Sequence, residues 1–550
     1  MIPFGNDERD RPVLARNLER SVGVSRSRRI HVVLVPEPNP IGNDGSTAKL
    51  ESRATRYALS STIRSEEAPG MKPSEYASHD ALGLALLVER EEVTPVELVE
   101  AAIGLIEDLN PTLNAVIHEH YERARREAAG SLPKGPFRGV PFLLKDLAGG
   151  NRAGDPLHWG TRFLRDADYR PTTTSYLVEK FEAAGLVVVG RTNVPELGAW
   201  ATTESQAYGP CRSPWNPDHT SGGSSGGAAA AVAAGIVPIA HASDGGGSIR
   251  NPASQCGLVG LKPSRARISL GPDIGEMWGG MTFEFIVSRT VRDTAAMLDA
   301  VQGPMPGDPY GIAPPERPYA DEVGADPGSL RVGVLSKRDD VEIHPDCVEA
   351  AESAGRLLEA LGHRVEASYP KEVGGSSLLL HTLAIISSGQ ARVVEDFGRL
   401  LGRELGPDDM DCDNWAVTEM GRRVSAMQYL GALQAHHDYQ RRVASWWEDG
   451  FDLLITPTIA APPPRIGEMV PDPAKPMDAF MRSGGLLPFT LPFNVTGQPA
   501  VSLPLHWNAA GLPIGVQLIA AMGREDLLIR VARQLEQEVE WSKRRPPIHA

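Results

Sequence analysis

Cysteine is scarce. Four residues (Cys211, Cys256, Cys347 and Cys412) are scattered through 550, and no two stand in a CxxC pair. That excludes a disulfide framework and a zinc knuckle, and makes a reducing compartment, the cytoplasm, the expected location. Positive charge is in the minority: 55 Lys+Arg against 70 Asp+Glu gives a net charge of −15. This balance argues against a sequence-independent grip on nucleic acid, which needs clustered cations to displace phosphate counterions. No apolar run reaches the roughly 18–20 residues of a membrane-spanning helix, so no membrane partner is expected. Fourteen histidines are present, none in an HExxH or other metal-ligand spacing. No metal or other cofactor is therefore expected.

What is present is a globular composition, with 41% hydrophobic and 23% charged residues. Residues 1–70 stand apart. They hold an Arg-rich stretch from Arg9 to Arg29, a short apolar run from Ile30 to Val35, and Pro36, Pro38 and Pro40. The run is too short for a secretory signal, and Asp7, Glu8, Asp10 and Glu19 count against a transit peptide. The segment reads as a disordered extension or an over-long start before Met71, with a regulatory or docking arm as the alternative. Residues 71–550 read as one large domain. Thr94 caps a helix running to Leu109, with Pro95 next and Glu97 three beyond the cap. Strands are expected at Gly139–Leu144, Leu186–Val189, Leu330–Leu335, Phe451–Thr456 and Ala500–Leu505. Helices are expected at Thr174–Ala184, Ala228–Val237, Cys347–Leu361 and Leu527–Val539. This alternation predicts an α/β class with a mixed central sheet.

The densest signal runs from Ser221 to Arg250, where two Gly-rich serine clusters flank a small-residue helix. A phosphate-binding loop is one reading, but neither GxxxxGK[ST] nor a GxGxxG opening a helix after a clear strand is written here. An α/β-hydrolase elbow is a second, since Gly222–Gly226 satisfies GxSxG. The polar NPDHTSGG before Ser224 is not the hydrophobic strand that such an elbow needs. The third reading takes both clusters together with Lys145. In it the chain resembles the amidase signature hydrolases over nearly all of residues 71–550. The resemblance rests on GGSSGG at Gly222–Gly227, SDGGGSIR at Ser243–Arg250 and CGLVGLKP at Cys256–Pro263. It extends to GVPFLLKD at Gly139–Asp146, TNVPE at Thr192–Glu196, FNVTGQPA at Phe493–Ala500 and GLPIGVQ at Gly511–Gln517.

The resemblance implies a large mixed sheet covered by helices on both faces. It makes Ser248 the nucleophile, Ser224 a bridging serine preceded by a cis peptide, and Lys145 the base. A lysine can take a serine's proton only when neutral, so its pKa must fall from about 10.4 toward roughly 7–8. Gly245, Gly246 and Gly247 would offer backbone N–H groups to an oxyanion. The family often carries Thr or Ile where Gly245 stands, a departure expected to loosen the loop or widen the site. Ser225 reads as a turn or cap residue, with hydrogen bonding behind the triad as the alternative. Asp244 and Arg250 read as supports of the loop, His219 and His241 as packing residues, and Cys256 as a small buried residue. Ser264-Arg265-Ala266-Arg267 after Lys262-Pro263 departs from the wording of the family's glutamine-activating subunits.

HASDGGGSIR, GLKPSRARIS and GEMW at Gly275–Trp278 look most like the branch holding 6-aminohexanoate cyclic dimer hydrolases, near aryl acylamidases and urethanases. Small linear, cyclic or aryl amides, or carbamates, are the expected partners, and a homodimer is compatible with the chain. The alternatives are a glutamine amidase resembling an amidotransferase A subunit, and a catalytically silent scaffold. Expected pocket-lining segments are Trp200–Tyr208, Trp278, Asp411–Met420 and Phe480–Pro488, with ordinary core packing as the alternative.

Overall fold

The structure, a computed structural model, describes residues 71–375 and 378–550. The expectation for residues 1–70 lies outside the described residues. The central sheet is built from β1 (Val116–Glu119), β2 (Pro141–Lys145), β3 (Val187–Thr192), β4 (Ile239–Asp244), β5 (Val259–Lys262) and β6 (Phe283–Ser288). It continues with β7 (Arg331–Val334), β8 (Arg364–Glu366), β9 (Leu453–Pro457), β10 (Ala500–Trp507) and β11 (Pro513–Ala520). Among the described residues it has eleven strands in the order β1-β3-β2-β4-β6-β5-β10-β11-β9-β7-β8. Strand β2 runs parallel to both β3 and β4, and β7 runs parallel to β8 and β9. The remaining pairings are antiparallel, so the sheet is mixed. Every residue of β2 and β3 is buried. That explains why both read as continuous apolar runs without a polar alternate face, as strands covered on both sides do.

The helices follow their sequence signals closely. In α1 (Pro95–Leu113) Thr94 and Glu97 form the reciprocal capping box. The small-residue helix α2 (Gly226–Ala233) differs from its expected span of Ala228–Val237. Gly226 and Gly227 already belong to its first turn, and Gly235 in a left-handed conformation (φ 81°) follows its end. All eight residues are buried, so α2 has no polar face at all. It leads into β4, followed across a short loop by α3 (Arg250–Cys256), which is also buried throughout. Beyond these lie α4 (Pro345–Ala360), α5 (Leu379–Leu401), α6 (Ala426–Glu448) and α7 (Glu525–Val539). No helix among the described residues is long and apolar enough to cross a membrane.

Because α2 is enclosed on every side, it has no space for a larger side chain. Ala230→Leu, at a position with no exposed surface, is expected to cost about 1–3 kcal/mol through overpacking. A lowered denaturant midpoint with unchanged m-value would show it.

Candidate active site

Two parallel neighbours bring the site together. Leu143 of β2 pairs with Ala240 of β4, so the C-terminal ends of both strands lie side by side. Lys145 closes β2, and Ser243 and Asp244 close β4. The Lys145 side chain has no exposed surface. Its Nζ lies 2.9 Å from Ser224 Oγ, 2.8 Å from Ser225 Oγ and 2.8 Å from Ser243 Oγ. Burial pulls the Lys145 pKa down to about 7, against the opposing influence of the Glu284 and Asp244 carboxylates. The lysine main chain is held from both sides: its N–H donates to His241 Nδ1 (3.2 Å), and its carbonyl accepts from Arg191 Nη1 (3.3 Å). Asp146 turns away from the amine and accepts the His158 N–H.

His241 does more than pack. Since its Nδ1 accepts the Lys145 N–H, its proton sits on Nε2 and is donated to Glu284 Oε2 at 2.8 Å. Burial, reinforced by the positive charge of Lys145, holds the imidazole pKa well below its ordinary value. Burial likewise pushes the Glu284 carboxyl well above the usual range, opposed by Lys145.

The Gly222–Ser225 segment arrives over the lysine from the other side. The Gly223–Ser224 peptide is cis. The Gly223 carbonyl accepts from Asn251 Nδ2 (2.8 Å), and the Gly222 carbonyl from Thr203 Oγ1 (2.8 Å). Ser225 occupies the N-cap position of α2, yet its hydroxyl caps nothing and contacts the lysine instead.

The loop from Asp244 to Arg250 is fixed by a fully buried ion pair. Arg250 Nη2 donates to Asp244 Oδ1 (2.8 Å) and Nε to Oδ2 (3.0 Å). Asp244 Oδ2 also accepts the Ile249 N–H (3.1 Å), while Arg250 Nη1 donates to Gln517 Oε1 (2.7 Å) and the Thr490 carbonyl (2.9 Å). Burial alone would raise the Asp244 pKa, but Arg250 and Asn494 hold the carboxylate far below its usual range. Inside the loop Gly247 adopts φ 142°, a conformation that favours glycine. Among the described residues, the N–H groups of Gly246, Gly247 and Ser248 donate to no protein group.

Ser224, Ser243, Gly245, Ser248 and Glu284 line one cavity of about 50 Å³. Its apolar walls include Leu147, Trp159, Leu197, Met277, Trp278 and Val393, with Gln390 among the polar groups. Of the segments expected to line the pocket, Trp278 does so. Asp411–Met420 sits behind the wall, where the Asn414 carbonyl accepts from Gln390. Phe480–Pro488 lines a separate apolar cavity of about 350 Å³. Trp200 packs edge-on against Phe480. Ser243, Glu284 and Gln390 are not singled out by the sequence, and His241 reads there as a packing residue. Ser243 lies inside the matched motif and could have been found from the β2–β4 pairing, whereas nothing local marks Glu284 or Gln390.

Removing the cation of the loop would strand a buried carboxylate. Arg250→Met is expected to cost about 3–5 kcal/mol, read as a lowered thermal midpoint.

The amidase family model matches residues 97–529. A 6-aminohexanoate-cyclic-dimer hydrolase of Pseudomonas sp. (strain NK87) is 43% identical over 480 residues, covering 85% of this chain and 96% of the relative. The Paenarthrobacter ureafaciens enzyme of that description is 44% identical over 479 residues, covering 85% and 96%. A solved structure of 6-aminohexanoate cyclic dimer hydrolase complexed with substrate superposes with a TM-score of 0.83 at 42% identity, covering 86% of this chain and 100% of the other. A bacterial aryl acylamidase structure gives a TM-score of 0.78 at 26% identity, covering 86% and 99%. The chain thus belongs to the amidase signature family, whose members hydrolyse amide carbon–nitrogen bonds.

Proposed function

We propose that the chain hydrolyses small amides through an acyl-enzyme formed on Ser248, with Ser224 relaying protons to and from Lys145. The observation that carries this reading is the Lys145 amine, wholly buried and 2.9 Å from Ser224 Oγ, beside a cavity that Ser248 also lines.

Proton counting supports the direction of transfer. A neutral lysine amine has two N–H donors and one lone pair. The Ser225 hydroxyl proton is directed to the Ser243 carbonyl (3.3 Å), so Ser225 Oγ can only accept from Nζ. Ser243 Oγ, 2.8 Å away, takes the second N–H. The lone pair is then left for the Ser224 hydroxyl, which donates to it and in turn accepts the proton of Ser248.

In the reaction Ser248 Oγ attacks the amide carbonyl carbon, and its proton moves through Ser224 to Lys145. The negative oxygen of the tetrahedral intermediate is met by the free N–H groups of the Gly245–Ser248 stretch, with Gly246 and Gly247 foremost. The C–N bond breaks as Lys145 returns the proton, again through Ser224, to the leaving nitrogen. Water then attacks the ester by the same route and releases the acid. The resident carboxylate Asp244 stays locked to Arg250 and takes no proton. The predominantly apolar walls suit cyclic and aryl amides, the kinds named by the relatives, and linear amides and carbamates of similar size.

A fluorophosphonate probe tests the nucleophile directly. One adduct by mass on the wild type and none on Ser248→Ala is expected, and equal labelling of both would end the assignment. The base sets the pH dependence. Below about pH 7 the Lys145 amine is protonated and has no lone pair, so kcat/KM should fall about tenfold per unit on the acid side and level off above pH 7. A profile flat from pH 5 to 8 would contradict the lysine's role.

A further inference from the structure

The glycine at 245 is not demanded by its backbone. Among the loop glycines Gly247 has a positive φ, and Gly245 does not. What stands against Gly245 is the indole of Trp278: a β-carbon added at 245 would lie 2.6 Å from Cζ3 and 3.0 Å from Cε3. A second glycine meets the same ring. Gly389 lies in the middle of α5, where glycine is a poor residue, and a β-carbon there would lie 2.8 Å from the indole Nε1 and closer still to Cδ1. Trp278 itself is held in a left-handed conformation (φ 53°), followed by Gly279 (62°) and Gly280 (79°). A bulky residue seldom adopts that conformation unless its surroundings impose it. The loop, the mid-helix glycine and the left-handed turn together leave a slot of the indole's width, and the ring in it forms a wall of the catalytic cavity.

The position of that wall says which part of a substrate it meets. The Gly245–Ser248 stretch carries the nucleophile and the free N–H groups. The leaving nitrogen must face Ser224, which returns its proton. With the oxygen at the loop N–H groups and the nitrogen at Ser224, the remaining substituent on the carbonyl carbon is the group that enters the cavity walled by Trp278. With the ring in place the cavity holds only about 50 Å³, room for a few waters at roughly 10–15 Å³ each.

We infer that Trp278 is a specificity-determining residue, which admits amides whose acyl chain is unbranched next to the scissile carbonyl and excludes those branched or arylated there. Gly245 and Gly389 are the space-holders that let the ring stand in that place. The inference rests on the proposed role of Ser248, and its test separates the two.

The measurement is kcat/KM for p-nitroanilides of hexanoic, 2,2-dimethylbutanoic and benzoic acids, alongside fluorophosphonate labelling of each variant. The wild type should favour the hexanoyl compound. Trp278→Ala should remain labelled and lower that preference at least about tenfold, the scale on which pocket volume discriminates. Trp278→Phe should fall between the two. Gly245→Ala should drive the ring into the cavity and lower turnover of the hexanoyl compound about tenfold or more, and adding Trp278→Ala should recover most of that loss, a coupling expected only of groups in contact. A labelled, active wild type whose preference is indifferent to Trp278→Ala would overturn this inference alone. So would a Gly245→Ala defect of equal size with and without the tryptophan. A wild type neither labelled nor active would overturn the role of Ser248, and this inference with it.

Discussion

A lysine amine with no exposed surface is the constraint around which the site is organised. Water would stabilise the ammonium form, and the fold withholds it. In its place stand three serine hydroxyls, each within 2.9 Å of Nζ. A ring of neutral dipoles satisfies an amine's hydrogen-bonding capacity without supplying the counter-charge that would keep it protonated. The two carboxylates nearest the lysine oppose this, and burial prevails over them. Asp244 is committed to Arg250, and Glu284 is buried so deeply that its own charge is disfavoured. The structure thus lowers a lysine pKa by position alone, without a second cation.

That arrangement depends on long-range pairing. The β2–β4 neighbourhood joins residues nearly a hundred positions apart, and the Gly222–Ser225 segment descends on them through the entry of α2. Asn251 and Thr203 hold the two carbonyls of that segment. Arg250 ties the Asp244–Arg250 loop to the β11 residue Gln517 and to the Thr490 carbonyl. Four distant stretches of chain are thereby cross-braced by buried polar groups whose partners are all accounted for, and such networks rigidify a site.

The sequence was informative where chemistry is local. Thr94 and Glu97 announce the start of α1, and the apolar runs of β2, β3, β9 and β10 mark buried strands. Of the motif residues, Ser224 and Ser248 line one cavity, and Lys145 reaches Ser224 from behind it. It was uninformative where function comes from a register or a packing contact. Ser225 reads as a cap because it stands before a helix, and only the three-dimensional placement of Lys145 shows where its hydroxyl goes. His241 and Glu284 form a pair through antiparallel strands, 43 residues apart. Gly245 looked like a loosened loop. The ring that fills the space above it comes from residue 278, and nothing around either position in the text points to the other. Of the segments Trp200–Tyr208 and Asp411–Met420, expected to line the pocket, Trp200 packs against Phe480 and Asn414 holds Gln390 from behind the wall.

The all-buried helix α2 has a consequence for how such a protein can change over time. Its eight residues are glycine, alanine and one valine, closed in on every side, so the scaffold beneath the two serine clusters tolerates almost no drift. Other walls of the cavity belong to the 277–280 turn and one face of α5, which carry none of Lys145, Ser224 and Ser248. Mutations can accumulate there with the chemistry left intact. The molecule is divided into a tightly enclosed engine and a more adaptable mould, and new substrates can be acquired by recasting the mould alone.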